Sequence, residues 1–202
     1  MKDKNDQETF ADYINCLSIL ENETAQLYQT LSSRTETPLA KNLLLQISLD
    51  SRKHSKLLGG MRDSFAPSRS RNTKDCSKNL GKVWLLMNIL RNEVANQPSE
   101  SRLTAVQLMD KLTNLESALG EEYHMFIQMK NLEVLSKKIK ELYGVEPRAI
   151  RVIIEGIIRD EDRHAEILST IKQILNESQE RKVDNTPMVR FQSPDAWAQA
   201  PK

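Results

Sequence analysis

The feature that most restricts this chain is the spacing of its apolar residues, which return every three or four positions through four long segments. Phe10, Ile14, Leu17, Leu20, Thr24, Leu27, Tyr28 and Leu31 form one stripe on a helix expected from about Phe10 to Ser33. Thr37-Pro38 reads as an N-cap with proline in the first helical position. It opens a second helix to about Met61, with Leu43, Ile47, Leu57 and Met61 inward. The joint between the two is so short that they must be antiparallel neighbours. A third long helix begins near Glu100, with Leu103, Val106, Leu112, Leu115, Leu119 and Phe126 inward. The turn Tyr143-Gly144-Val145-Glu146-Pro147 separates it from a fourth that reaches about Glu180 on Ile150, Ile154, Ile157, Leu168, Ile171 and Leu175. Aromatic residues make up 5% of the chain, which together with sparse β-branched runs leaves little material for strands; an all-α fold is expected.

A long connection joins the second and third of these helices. Ser64 to Lys78 is polar, contains Pro67 and carries Arg69, Arg71 and Lys74, and it reads as an exposed loop. Leu80 to Ala95 reads as a fifth, shorter helix with Trp84 packed on the core, broken by Pro98-Ser99. A connection of that length can travel the whole of a bundle, and one long crossover is the ferritin-like four-helix topology. The expected organisation is a polar segment over 1–9, a ferritin-like four-helix bundle over 10–182 with its crossover at 63–98, and a flexible tail over 183–202. Lys and Arg number 29 against 28 Asp and Glu, so charge gives no case for nucleic acid or an anionic membrane as partner. No apolar run approaches the ~20 residues of a membrane helix, and Met1 to Glu8 lacks an apolar signal core. A cytoplasmic location follows as the expectation. Cys16 and Cys76 form no CxxC pair and support neither a zinc ribbon nor a disulfide framework. Cys16 reads as a small helix residue and Cys76 as an exposed loop thiol.

The two halves of the chain repeat each other in their polar residues. Leu20-Glu21 is followed by Tyr28, and Leu115-Glu116 by Tyr123, so in both helices Glu and Tyr are two turns apart on one face. The second helix carries Asp50-Ser51-Arg52-Lys53-His54 and the fourth carries Asp160-Glu161-Asp162-Arg163-His164. Glu21, Glu116, Glu161 and His164 occupy positions where the apolar stripe calls for leucine. A lone buried carboxylate costs several kcal/mol unless it is paired, and converging carboxylates repel. A cation relieves both penalties, and Glu-x-x-His projects two ligands to one side of a helix. Singly, each residue has a plainer reading: Glu21 as a surface residue beside Glu23, Glu161 and His164 as part of a solvated charged turn, Tyr28 and Tyr123 as core aromatics with hydrogen-bonded hydroxyls. His124 reads as surface, and Asp50 as a carboxylate outside the ligand set.

Together, Glu-x6-Tyr, a His-bearing helix, a second Glu-x6-Tyr and Glu-x-x-His resemble the rubrerythrin branch of the ferritin-like di-iron carboxylate proteins. The resemblance covers about Phe10 to Leu175 and is most specific over Asp160–Leu168. It implies a metal site of Glu21, His54, Glu116, Glu161 and His164, with iron as the cofactor and manganese or zinc as chemically acceptable substitutes. It also implies peroxide or dioxygen as small-molecule partner, in peroxide reduction or ferrous iron oxidation; a homodimer is compatible with it. The chain departs from the family pattern at Ser51, where a sixth ligand, a glutamate, belongs. That departure favours one tight metal at Glu116, Glu161 and His164 and a weaker half at Glu21 and His54. The competing expectation is a non-catalytic bundle with a degenerate site that acts as a structural or interaction protein. Glu116 lies 28 residues before Gly144 and His164 only 20 after it, and the surplus predicts a kink or short helix between about Asn131 and Tyr143.

Overall fold

The helical periodicity is realised as helix throughout the computed structural model, which describes residues 2–65, 76–96, 102–128 and 147–183. These form α1 (Lys2–Arg34), α2 (Pro38–Phe65), α3 (Cys76–Asn96), α4 (Arg102–Gln128) and α5 (Pro147–Val183), with no strand among the described residues. The expected short helix near 131–143 and the tail from 184 lie outside them. No described helix is long and apolar enough to cross a membrane.

Between α1 and α2, the Thr37 carbonyl accepts the Lys41 N–H at 2.9 Å, the first hydrogen bond of α2, and Pro38 occupies the position where no donor is needed. The two helices run antiparallel along a seam of small hydroxyl residues. Ser18 donates to the Ser55 carbonyl (2.8 Å) and Ser55 to the Ser18 carbonyl (2.7 Å). Ser48 donates to the Ala25 carbonyl (2.7 Å) and Ser32 to the Lys41 carbonyl (3.0 Å). Short side chains that bond a neighbour's backbone let two helices approach closely without leaving buried hydroxyls unpaired. Helices α4 and α5 are likewise antiparallel, joined at one end by Lys172 to Asp110 (2.5 Å) and closely packed where Gly120 faces the Glu161 Cβ.

The third helix lies across α1 and α4. It buries Cys76, Leu80, Val83, Met87, Leu90 and Val94, and it is tied at both ends. Arg34 donates to the Val94 carbonyl at 2.5 Å, and Lys111 of α4 pairs with Glu93 at 2.6 Å. At its start a disulfide joins Cys76 to Cys16 of α1. Gly81, at φ 47°, kinks α3 just after that first turn.

Several expectations change. Cys76 is not an exposed loop thiol: it opens α3, is fully buried and is disulfide-bonded to an equally buried Cys16. Such a bond is rare in reducing compartments. Helix α1 extends into the polar segment before Phe10, Ser64 belongs to α2, and 76–78 to α3. Along α2 the buried stripe is Ala40, Leu44, Ile47, Ser51, His54, Leu58 and Met61, so Leu57 is 40% exposed and Leu43 only partly covered. The true stripe passes through two polar residues, and hydropathy alone prefers the leucines one position off it. Trp84 is half-covered against the core.

The disulfide closes a loop 60 residues long, for which chain entropy gives about 4 kcal/mol of stabilisation at most. Reduction, or Cys16→Ser, is expected to lower the melting temperature by several degrees or more while helical circular dichroism is retained. Thiol titration of the unreduced, denatured protein should find no free cysteine; two free thiols would show that the bond does not form.

Candidate metal centre

Each of α1 and α4 presents a Glu and, two turns later, a Tyr. Because the two helices run in opposite directions, each Tyr meets the other helix's Glu. Tyr28 donates its hydroxyl to Glu116 Oε1 (2.5 Å) and Tyr123 donates to Glu21 Oε1 (2.6 Å). All four side chains are buried. Burial first, and then the adjoining carboxylates, push both phenols well above their ordinary range, so they remain protonated donors.

Helices α2 and α5 supply the histidines, again crosswise. Asp50 and Asp160 each precede a His by one turn, and each faces the other helix's ring. His54 Nε2 donates to Asp160 Oδ2 at 2.9 Å, and His164 Nε2 faces Asp50 Oδ2 at 3.6 Å. Both rings thereby turn Nδ1 inward. His54 Nδ1 lies 3.1 Å from Glu161 Oε1 and 3.6 Å from Glu21 Oε1. His164 Nδ1 lies 3.0 Å from Glu116 Oε2 and 3.6 Å from Glu161 Oε2. On the solvent side, Lys53 and Arg163 each contact both aspartates, closing a ring of four alternating charges at 2.7–3.0 Å.

All five sequence-derived candidates, Glu21, His54, Glu116, Glu161 and His164, therefore converge. They form two trios, Glu21–His54–Glu161 and Glu116–Glu161–His164, with the donor atoms of each within 4.8 Å of one another. Glu161 belongs to both, one oxygen toward each histidine. The expected lopsidedness in direct donors is thus not seen, because Glu161 completes the Glu21–His54 half as well. Ser51 is buried but turned away, its hydroxyl donating to the Ile47 carbonyl of its own helix (3.1 Å). Asp50 and Asp160 stand outside both trios, behind the rings. The role of Asp160 escaped the sequence reading; its signal was Asp-x3-His occurring twice. His124 is exposed, as expected.

The donor set fits a cation. Two ligands held at about 2.1 Å from one ion, at angles between square and tetrahedral, stand about 3.0–3.4 Å apart, close to the spacings here. Glu21 Oε2, both Glu161 oxygens, His54 Nδ1 and His164 Nε2 are buried without an aligned hydrogen bond, although such groups are normally paired. Oxygen and imidazole donors suit iron, manganese or zinc. Without a cation, burial and the neighbouring Glu21 and Glu116 charges push the Glu161 carboxyl well up. Burial opposes charging of His54, but Glu161 and Glu21 more than offset it and raise the ring to about 10. His164 is raised by Glu116, also against burial, and in return holds Glu116 low. Protons in effect stand in for a metal.

No protein-family model matches the chain, and neither a curated protein nor a solved structure matches it significantly.

A pH dependence of known sign follows for the metal-free protein. His54 and Glu161 hold protons that the unfolded chain releases near pH 6.5 and 4.3. The folded state therefore binds more protons than the unfolded one at neutral and basic pH. The His54 contribution is complete below about pH 6.5 and is lost as pH rises through about 10. Asp160, held at about 2 because Lys53 and His54 outweigh its burial, acts only in acid, where its contribution is lost as pH falls toward 2. Thermal melts in chelator should show stability falling between pH 6.5 and 10. Metal affinity should rise over the same range as the ion displaces protons. A chelated protein more stable at pH 9.5 than at 6.5 contradicts this account.

Proposed function

We propose that this chain is a ferritin-like metal-binding protein that holds transition-metal ions between α1, α2, α4 and α5 and carries out iron-dependent peroxide reduction or ferrous iron oxidation. The observation that supports it most is the convergence of five buried donors, several of them with no aligned partner in the protein. The helix directions agree with the topology: α1 and α2, α4 and α5, and α2 and α5 are antiparallel pairs, and α3 occupies the connection that crosses the length of a four-helix bundle.

A bound redox metal supplies one-electron chemistry toward peroxide or dioxygen. The chain's residues do the rest. Glu161 reaches both trios, and Glu21 and Glu116 close the two ends. Tyr28 and Tyr123 orient those carboxylates and keep a proton at each phenol oxygen. Asp160 directs Nε2 of His54 outward so that Nδ1 faces the centre, the usual way an outer carboxylate orients a ligating imidazole, and the Asp50 charge faces Nε2 of His164 at 3.6 Å. Leu20, Leu115, Leu119 and Ile157, buried within one turn of Glu21, Glu116 and Glu161 along their helices, help keep bulk water out. The alternative is a non-catalytic bundle that keeps one metal for structure, and Ser51 favours it by removing a bridging carboxylate.

Protein purified without chelators should carry iron, manganese or zinc in at least equimolar amount by elemental analysis, with anomalous density between the two histidines. Glu161→Ala should abolish tight binding because it removes a ligand from both trios. Glu116→Ala should weaken one trio. Glu23→Ala, which removes only the exposed pair with Arg91, should leave binding unchanged. Metal saturation should raise the melting temperature, since a hundredfold excess over Kd adds about 2.7 kcal/mol. Protein that takes up no metal from any of these ions ends the proposal.

A further inference from the structure

The crosswise contacts make the two halves counterparts of one another: Glu21 and Glu116, Tyr28 and Tyr123, Asp50 and Asp160, Lys53 and Arg163, His54 and His164. One pair breaks the correspondence. Opposite Glu161 stands Ser51, equally buried, with its Oγ bonded back to Ile47. Glutamate and serine share Cβ, and the serine Oγ takes the place of Cγ. What the chain lacks there is a single planar group, one carbon carrying two oxygens. We propose that this centre recruits that group from solution: a one-carbon oxyanion, formate or bicarbonate, bound beside Ser51 and bridging two metal ions opposite Glu161. The proposal rests on the metal-centre reading above and names a ligand class for the same site.

Charge favours it. The outer ring of Asp50, Asp160, Lys53 and Arg163 is neutral in sum. Inside it, two dications set against Glu21, Glu116 and Glu161 leave one positive charge in a buried site, and a single monoanion cancels it. Two metal ions bridged by one carboxylate alone also repel strongly at the ~3.5–4 Å typical of paired sites. A second bridge lowers that repulsion, so the anion acts chiefly on the second ion. The fully buried atoms Glu161 Oε1, Glu161 Oε2 and His54 Nδ1 lack aligned hydrogen bonds, which favours a ligand in this interior. Formate and bicarbonate each supply the missing carbon with its oxygens, and Ser51, its Oγ bonded back to Ile47, supplies none of them.

The test is calorimetric titration of the full chain with Co²⁺ in a non-coordinating buffer purged of carbon dioxide, repeated with formate or bicarbonate. The cobalt visible spectrum and the line width of ¹³C-formate serve as independent readouts. The expected result is that formate or bicarbonate tightens the second Co²⁺ at least tenfold and shifts the spectrum, and that bound cobalt broadens the formate signal. Ser51→Ala keeps the anion requirement, because the hydroxyl, bonded to Ile47, is no ligand. Ser51→Glu binds two ions with no anion effect, and the titration of the unmodified chain carries the test if the added buried carboxylate prevents folding. Two Co²⁺ ions bound equally well with and without anions, or a Ser51→Ala variant that no longer responds to them, overturns the proposal while leaving the metal centre standing. Absence of any cobalt binding, in every buffer, removes the metal-centre reading and this proposal with it.

Discussion

Five ionisable side chains, three glutamates and two histidines, sit at 2% exposure or less in the middle of a helical core, and most of the polar architecture exists to make that tolerable. Charges of this kind cost several kcal/mol each to bury. The protein meets the cost with partners drawn from opposite helices: phenols for Glu21 and Glu116, and Asp160 for the outer nitrogen of His54, while Asp50 faces that of His164 at 3.6 Å. Glu161 has neither oxygen in an aligned hydrogen bond, with His54 Nδ1 3.1 Å away. It carries the strongest conflict between burial and charge, and it is the residue that faces both trios. A cation held there would offset that conflict more directly than the His54 Nδ1 3.1 Å away.

The crosswise pairing has a consequence for folding. Tyr28 needs Glu116, Tyr123 needs Glu21, and His54 needs Asp160, so neither half can satisfy its own polar groups. An isolated α1–α2 hairpin would have a well-made serine seam and an unpaired Glu21. Apolar stripes tolerate small slips in register, because one leucine replaces another. A slip here strands a carboxylate in the core. The site thus specifies how the two helix pairs meet, much as a buried polar residue specifies register in a coiled coil.

The long helices, the Thr37-Pro38 start of α2 and the five converging candidates were legible because they leave local signals: period, cap chemistry, and polar residues on an apolar stripe. What escaped detection depends on contacts between distant segments. Cys16 and Cys76 are 60 residues apart and in no motif, so only the placement of α3 against α1 reveals the bond. The α2 stripe was misjudged by one position at Leu43 and Leu57 because its true members include Ser51 and His54, which hydropathy counts as surface. The same blindness left Asp160 without a role of its own. It is partly solvated, yet its function lies in the ring it orients from the neighbouring helix.

The position of α3 follows from the site it covers. Among the described residues, no Cα of α1 comes within 8 Å of one in α4. The two are spanned by long side chains, Tyr28 to Glu116, Tyr123 to Glu21, and Tyr13 to Glu122 at 2.8 Å. A seam wide enough for two Tyr–Glu layers is too wide to close by direct helix packing, for which axes approach to about 8–10 Å. Left open, it would admit water to the carboxylates and weaken every interaction that depends on a low local dielectric. Helix α3 packs on α1 and α4 together, and its Val83, Met87 and Leu90 are fully buried along this side. A single helix resting on two others gains less apolar contact than one wedged among four, and its kink at Gly81 interrupts it further. The Cys16–Cys76 bond, the Arg34–Val94 contact and the Lys111–Glu93 pair fall at its two ends, where a lightly held helix would first lift away. The cross-link that composition gave no reason to expect is thus found on the element that needs it most.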